Sequence, residues 1–108
     1  MQFPDDADGD LLSEMQAAGM DLSQPREIDF FHLFDGEQSA AAMVEAVRTT
    51  VDTIGIVVEE QPKRGEWQVC TTVVMVPSYD NVTGTEKQLG AMAKRLGGRG
   101  DGWGARQD

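Results

Sequence analysis

The chain has 108 residues but only one cysteine and one histidine. A lone Cys70 cannot close an internal disulfide, so nothing points to an oxidising compartment. His32 has no second histidine and no cysteine near it in sequence, and no nucleophile at a suggestive spacing, so a structural histidine is expected rather than a general base. Long apolar runs are also missing. No stretch approaches the roughly 18 residues of a membrane helix, and the start, Met1 to Asp6, is acidic where a signal peptide is basic and then apolar. A soluble, cytoplasmic protein without membrane association is expected. Basic residues are scarce: nine Lys and Arg against nineteen Asp and Glu give a net charge of −10, which repels nucleic-acid phosphates.

No carboxylate pair, metal-ligand spacing or catalytic triad stands out, so no enzyme activity, cofactor or metal is expected. Asp5, Asp6, Asp8 and Asp10 invite a calcium reading, but with Gly9 at the sixth loop position the first falls on Pro4 and the twelfth on Met15. Gly97 to Gly104 follows a helical stretch and does not lead from a strand into a helix, so it is no phosphate cradle. Arg99-Gly100-Asp101 and Asn81-Val82-Thr83 match extracellular signals that the rest of the chain does not support.

What is present is a segregated charge. Residues 1–60 carry fourteen acidic and two basic residues, and residues 61–108 carry five and seven. An acidic half of this kind suits a basic protein partner. Also present is the run Trp67 to Val76, which holds no charge and no glycine and is stopped by Pro77. Its β-branched content predicts an interior strand, with Trp67, Val69, Thr71, Val73 and Met75 on one face and Gln68, Cys70, Thr72, Val74 and Val76 on the other.

Around that strand, Asp5 to Ala18 reads as a helix with the narrow stripe Leu11, Leu12, Met15 and Ala18, ended by Gly19. Arg26 to Phe34 alternates as a strand, Ile28, Phe30, His32 and Phe34 to one side, Phe31 and Leu33 to the other. The second pair needs cover, and the N-terminal helix is expected to provide it. Asp35 is placed to cap a helix with stripe Ala40, Val44, Val47, Val51 and Ile54, ended by Gly55. Ile56 to Glu60 and the turn Pro62 to Gly65 predict a hairpin with the central strand. Ser78 caps a third helix carrying Val82, Leu89, Met92, Ala93 and Leu96, in which Gly84 and Gly90 weaken the helix or permit close approach. A short strand at Gly100 to Ala105 completes the order.

After the first helix this is a split βαβ arrangement, an α+β chain forming one domain over residues 1–108. The expected core is Ile28, Phe30, Val44, Val47, Val51, Val69, Val73, Leu89, Met92 and Leu96. Phe3-Pro-Asp-Asp-Ala-Asp-Gly-Asp, Pro25-Arg-Glu-Ile-Asp-Phe-Phe, the tryptophan-led strand ending at Val76-Pro77 and Asp101-Gly-Trp-Gly together resemble the regulator of ribonuclease E activity B family. The resemblance spans Phe3 to Gly104 and implies a ferredoxin-like βαββαβ sandwich after an extra N-terminal helix. It also implies a non-catalytic protein that binds ribonuclease E through its basic scaffold region and lowers its activity.

A protein-binding regulator is therefore the leading reading, with Asp5, Asp6, Asp8, Asp10, Asp101 and Trp103 as candidate contacts, as a monomer or homodimer. An RNA-binding sheet would want stacking rings where Cys70, Thr72 and Val74 stand. A small dimeric ferredoxin-like enzyme would have His32 as its one obvious acid or base. Asp101-Gly102 suits a tight turn that packs the Trp103 indole into the core. If so, Trp103→Ala should cost about 3 to 5 kcal/mol in denaturant unfolding, whereas an exposed anchor would lose far less stability but its partner.

Overall fold

The computed structural model describes residues 4–105, so Phe3 of the resemblance lies outside the described residues. The order is α1 (Ala7–Ala17), β1 (Arg26–Phe34), α2 (Glu37–Thr50), β2 (Gly55–Gln61), β3 (Glu66–Met75), α3 (Tyr79–Arg95) and β4 (Arg99–Ala105). All pairings are antiparallel, and the sheet runs β2-β3-β1-β4. This is the ferredoxin-like βαββαβ order behind an added helix. β1 and β3 form its centre through unbroken register from Arg26↔Met75 to Phe34↔Trp67.

That register decides which side chains share a face, because neighbours along a strand point oppositely. Ile28, Phe30, His32 and Phe34 lie across from Val73, Thr71, Val69 and Trp67, and α2 and α3 cover this side. α2 brings Ala40, Met43 and Val47 to it, and α3 brings Val82, Leu89, Met92 and Ala93. The predicted face is the observed one. Of the expected core, Ile28, Phe30, Val47, Val69, Leu89 and Met92 are buried, while Val44, Val51, Val73 and Leu96 are half-buried around them. Each large apolar side chain fully buried here contributes about 1.5 to 3 kcal/mol relative to exposure.

Three expectations are corrected. α2 stops at Thr50, and Ile54, expected on its stripe, is 57% exposed. The Thr49 and Thr50 hydroxyls donate back to carbonyls of Glu45 and Ala46, and Thr53 donates to the carbonyl of Thr72, 2.5 Å away, which turns the chain into β2. Asp35 does not cap α2: Gly36 is the N-cap residue, without a side-chain bond, and Asp35 faces the Arg99 guanidinium at 3.6 Å.

The third correction concerns α1, which packs against α3 and buries Leu12 in the main core instead of covering Phe31 and Leu33. Those two residues lie on the opposite face of the sheet. There the Arg99 guanidinium pairs with Glu66, and Gln68 Nε2 donates to Asp101 at 3.2 Å. Both contacts join β3 to β4 and so span β1, which runs between them. Leu33 sits beneath these polar side chains at 4% exposure, and Phe31 stays half-exposed. Aliphatic parts of long polar side chains thus take the place of a helix.

Of the two roles open to the helix glycines, weakening the helix or permitting close approach, the structure leaves the first. A methyl group on Gly84 or Gly90 would meet no atom, so neither serves close approach. One on Gly98 would strike the Phe34 ring, because the chain entering β4 passes directly over it. Gly84→Ala and Gly90→Ala should each raise stability by up to about 1 kcal/mol. Gly98→Ala should lower it by about 1 to 3 kcal/mol. Denaturant unfolding of the three variants checks both signs.

Candidate functional site

Four of the six residues proposed from sequence lie at the N-terminal end of α1. Asp6 is its N-cap, accepting from the Gly9 N–H at 2.8 Å, and its other oxygen takes the Tyr79 hydroxyl of α3. The hydroxyl and the N–H hold the Asp6 carboxyl below the usual range, and the Tyr79 phenol is raised in return. Asp8, in the first turn of the helix, accepts the indole N–H of Trp103 at 2.9 Å. Trp103 is 8% exposed, opposite Phe30 on the helix side of the sheet. Gly102, at φ 95°, belongs to the irregular stretch of β4 opposite Phe31, where the register slips before the indole turns inward. The structure thus joins Asp6, Asp8 and Trp103 in one knot tying α1 to α3 and β4. Asp5 and Asp10 are exposed beside it. Asp101 is elsewhere, on the far side of β4, bonded to Gln68.

Glu86 of α3 completes the knot. Burial, then a shared hydrogen bond with Asp8 and the nearby Asp8 and Asp6 charges, push its carboxyl up to about 7. The acidic start of the chain is therefore partly a structural device, in which a carboxyl that favours its proton bonds to Asp8.

The uncovered face of the sheet is the second feature. Opposite the helices, Asp29, Phe31, Val57, Glu59, Gln68 and Cys70 line a shallow depression of about 250 Å³. Val57 and Val74 are 50% and 47% exposed on this side. Around them stand Glu27, Asp29, Glu59 and Asp101, with Asp29 accepting from the Thr72 hydroxyl at 2.5 Å. Arg99, a cation of the same face, is already engaged by Glu66 and Asp35. Glu27, Asp29 and Glu59 were not singled out from sequence, although their alternation with apolar residues on two strands carried the signal. The result is an apolar centre flanked by Asp29 and Glu59, with Lys63 and Arg64 of the β2–β3 turn beside Gln68 and Asp101 at one end, and the flanking carboxylates suit an apolar and cationic ligand.

His32 is 3% exposed between aromatic neighbours on the covered face, and its Nδ1 has no hydrogen-bond partner among the described residues. Burial lowers its pKa, opposed by the Asp101 charge, so the ring is neutral and out of reach of a substrate. Among the described residues no group of three or more His, Cys, Asp or Glu could hold a metal ion, and no helix is long and apolar enough to cross a membrane.

A family model described as regulator of ribonuclease activity B matches residues 5–105. No curated protein matches the chain.

His32 and Glu86 predict opposite pH responses. The depressed His32 binds its proton more readily unfolded, so its effect lowers stability as pH falls through its ordinary 6.5. The raised Glu86 binds its proton more readily folded, so its effect raises stability as pH falls from about 7 towards its ordinary 4.5. Thermal unfolding between about pH 5 and about pH 8 should show Glu86→Gln losing stability on acidification more steeply than wild type, and His32→Leu less steeply. Identical slopes in all three proteins would contradict both assignments.

Proposed function

The chain belongs to the regulator of ribonuclease activity B family, and on that premise we propose that it is a non-catalytic, cytoplasmic protein that lowers RNA cleavage by binding a basic region of ribonuclease E. The observation that carries the reading is the uncovered sheet face, where Phe31 and Val57 lie between the carboxylates of Asp29 and Glu59 on a chain of net charge −10. Such a face attracts Lys- and Arg-rich polypeptide and repels RNA, so the RNA pathway is reached through the nuclease and not through the nucleic acid. Of the acidic residues singled out from sequence, Asp5, Asp10 and Asp101 are exposed and can add to the attracting field. Asp6, Asp8 and Trp103 hold the fold that presents it. Residues 1–108 act as one domain in this reading.

An RNA-binding sheet is disfavoured by the same face. Phe31 is its sole aromatic side chain among the described residues, and the surrounding charges repel a phosphate backbone.

The test is cleavage of a model RNA by full-length ribonuclease E and by its catalytic part lacking the basic scaffold. The protein should inhibit the first and spare the second, with inhibition weakening from about 50 to about 200 mM salt. Glu27→Lys combined with Glu59→Lys should weaken inhibition by about tenfold without changing the thermal midpoint by more than a few degrees. Equal inhibition of the scaffold-free enzyme, indifferent to salt, would contradict the proposal.

A further inference from the structure

The sheet has two edges, and they are protected very differently. β4 carries three glycines, a register slip and an engaged arginine, the devices by which edge strands avoid further pairing. β2 has a single glycine, Gly55 at its first position, and its charged residues are Glu59 and Glu60. Its pairing with β3 runs without interruption from Gly55↔Thr72 to Gln61↔Glu66, and it contains no proline, lysine or arginine. Its outer side meets no other strand among the described residues. Of the five exposed large apolar residues described, three lie on this strand or just before it: Ile54, Val57 and Val58 are 57%, 50% and 38% exposed.

Each face of this edge opens onto its own recess. Val57 points to the depression beside Phe31 and Cys70, with Asp29 and Glu59 at its margin. Val58 points the other way, into a groove of about 380 Å³ between α2 and the sheet, formed with Ala41, Val44 and the half-buried Trp67. Glu37 and Glu45 stand along that groove, and Glu60 lies opposite Trp67 in the pairing. Glu45 has an exposed Arg48 3.7 Å away, a contact of little energetic weight at that exposure. An aromatic side chain with three carboxylates near it fits a planar cation, which can stack on the indole while donating to the acids.

We propose that β2 receives an arginine-bearing extended segment of a protein partner as a fifth strand, with one side chain in the Trp67 groove and the next over the Phe31 depression. Backbone hydrogen bonds along the edge supply the pairing, and the alternating recesses select the sequence. The inference rests on the reading of the protein as a binder of basic polypeptide and adds the site and mode. A second copy of this chain is the wrong occupant. Two β2 strands side by side would add both sets of Glu59 and Glu60 to one short edge between chains of net charge −10 each.

The probe is a synthetic peptide of about nine residues alternating arginine and valine, a typical strand length. Titration should protect the amides of Gly55–Gln61 from hydrogen exchange and leave those of β4 unchanged. Trp67→Leu, and separately Glu37→Gln with Glu45→Gln, should each weaken peptide affinity by about three- to thirtyfold. The glutamate pair is exposed, so its variant keeps the test sound if Trp67→Leu unfolds. Protection at β4, no binding of the peptide, unchanged affinity in the glutamate variant, or a protein dimer with β2 already protected would each overturn the proposal. Ribonuclease E separates the two levels. Capture of the enzyme with β2 unprotected removes the edge-strand mode and keeps the function, whereas peptide binding at β2 without capture of the enzyme removes the function.

Discussion

Strict alternation in the β1–β3 pairing governs this protein. Nine consecutive pairs, from Arg26↔Met75 to Phe34↔Trp67, send Ile28, Phe30 and Phe34 to one side and Phe31 and Leu33 to the other. The described residues form three helices, and all contribute apolar residues to the same core. One face is therefore sealed and the other is left to whatever polar side chains can reach across it. Arg99 with Glu66, and Gln68 with Asp101, seal Leu33 but stop short of Phe31. A one-residue slip would exchange the faces and place acidic Glu27 and Asp29 under the helices, so the register is held by the cost of burying those charges.

The N-terminal helix shows how the same constraint resolves elsewhere. Its apolar stripe is too narrow to dictate a location: Leu12 is fully buried, while Leu11 and Met15 are half-buried at the margin of the core. Its place is fixed by polar contacts, the Tyr79 hydroxyl on Asp6 and the Trp103 indole on Asp8. These join residues 73 and 95 positions apart. Hydrogen bonds to carboxylates are stronger than neutral ones, and with the Asp8 bond partly buried and the Asp6 bond at the surface, the two together settle a helix that apolar area alone leaves undecided.

The legible and illegible parts of the sequence divide along the same line. Local alternation exposed β1, β3 and the helix-facing set of side chains, and helical spacing with Ser78 at its head exposed α3, whose Ser78 accepts from Asn81 N–H as a cap should. The end of α2 was hidden because Ile54 continues its apolar spacing while the threonines before it bond back to the helix carbonyls and break the turn. The seat of α1 was hidden because hydrogen bonds over such separations leave no periodic trace. Of the candidate contacts, the sequence displayed the acidity of Asp6 and Asp8 but not that Tyr79, Trp103 and Glu86 occupy them. Phe31 was visible as a side chain wanting cover, and its surroundings became visible with the sheet order.

In the proposed function the helical layer makes the fold and the opposite face, with its β2 margin, makes the contact. Amide chemical shifts of the labelled protein, followed while the basic scaffold region of ribonuclease E is added, test this most directly. Shifts concentrated on Asp29, Phe31, Cys70 and the β2 strand, with α3 and the inner side of α1 silent, are the result expected. Shifts concentrated on α1 and α3 with the sheet face unmoved would contradict it.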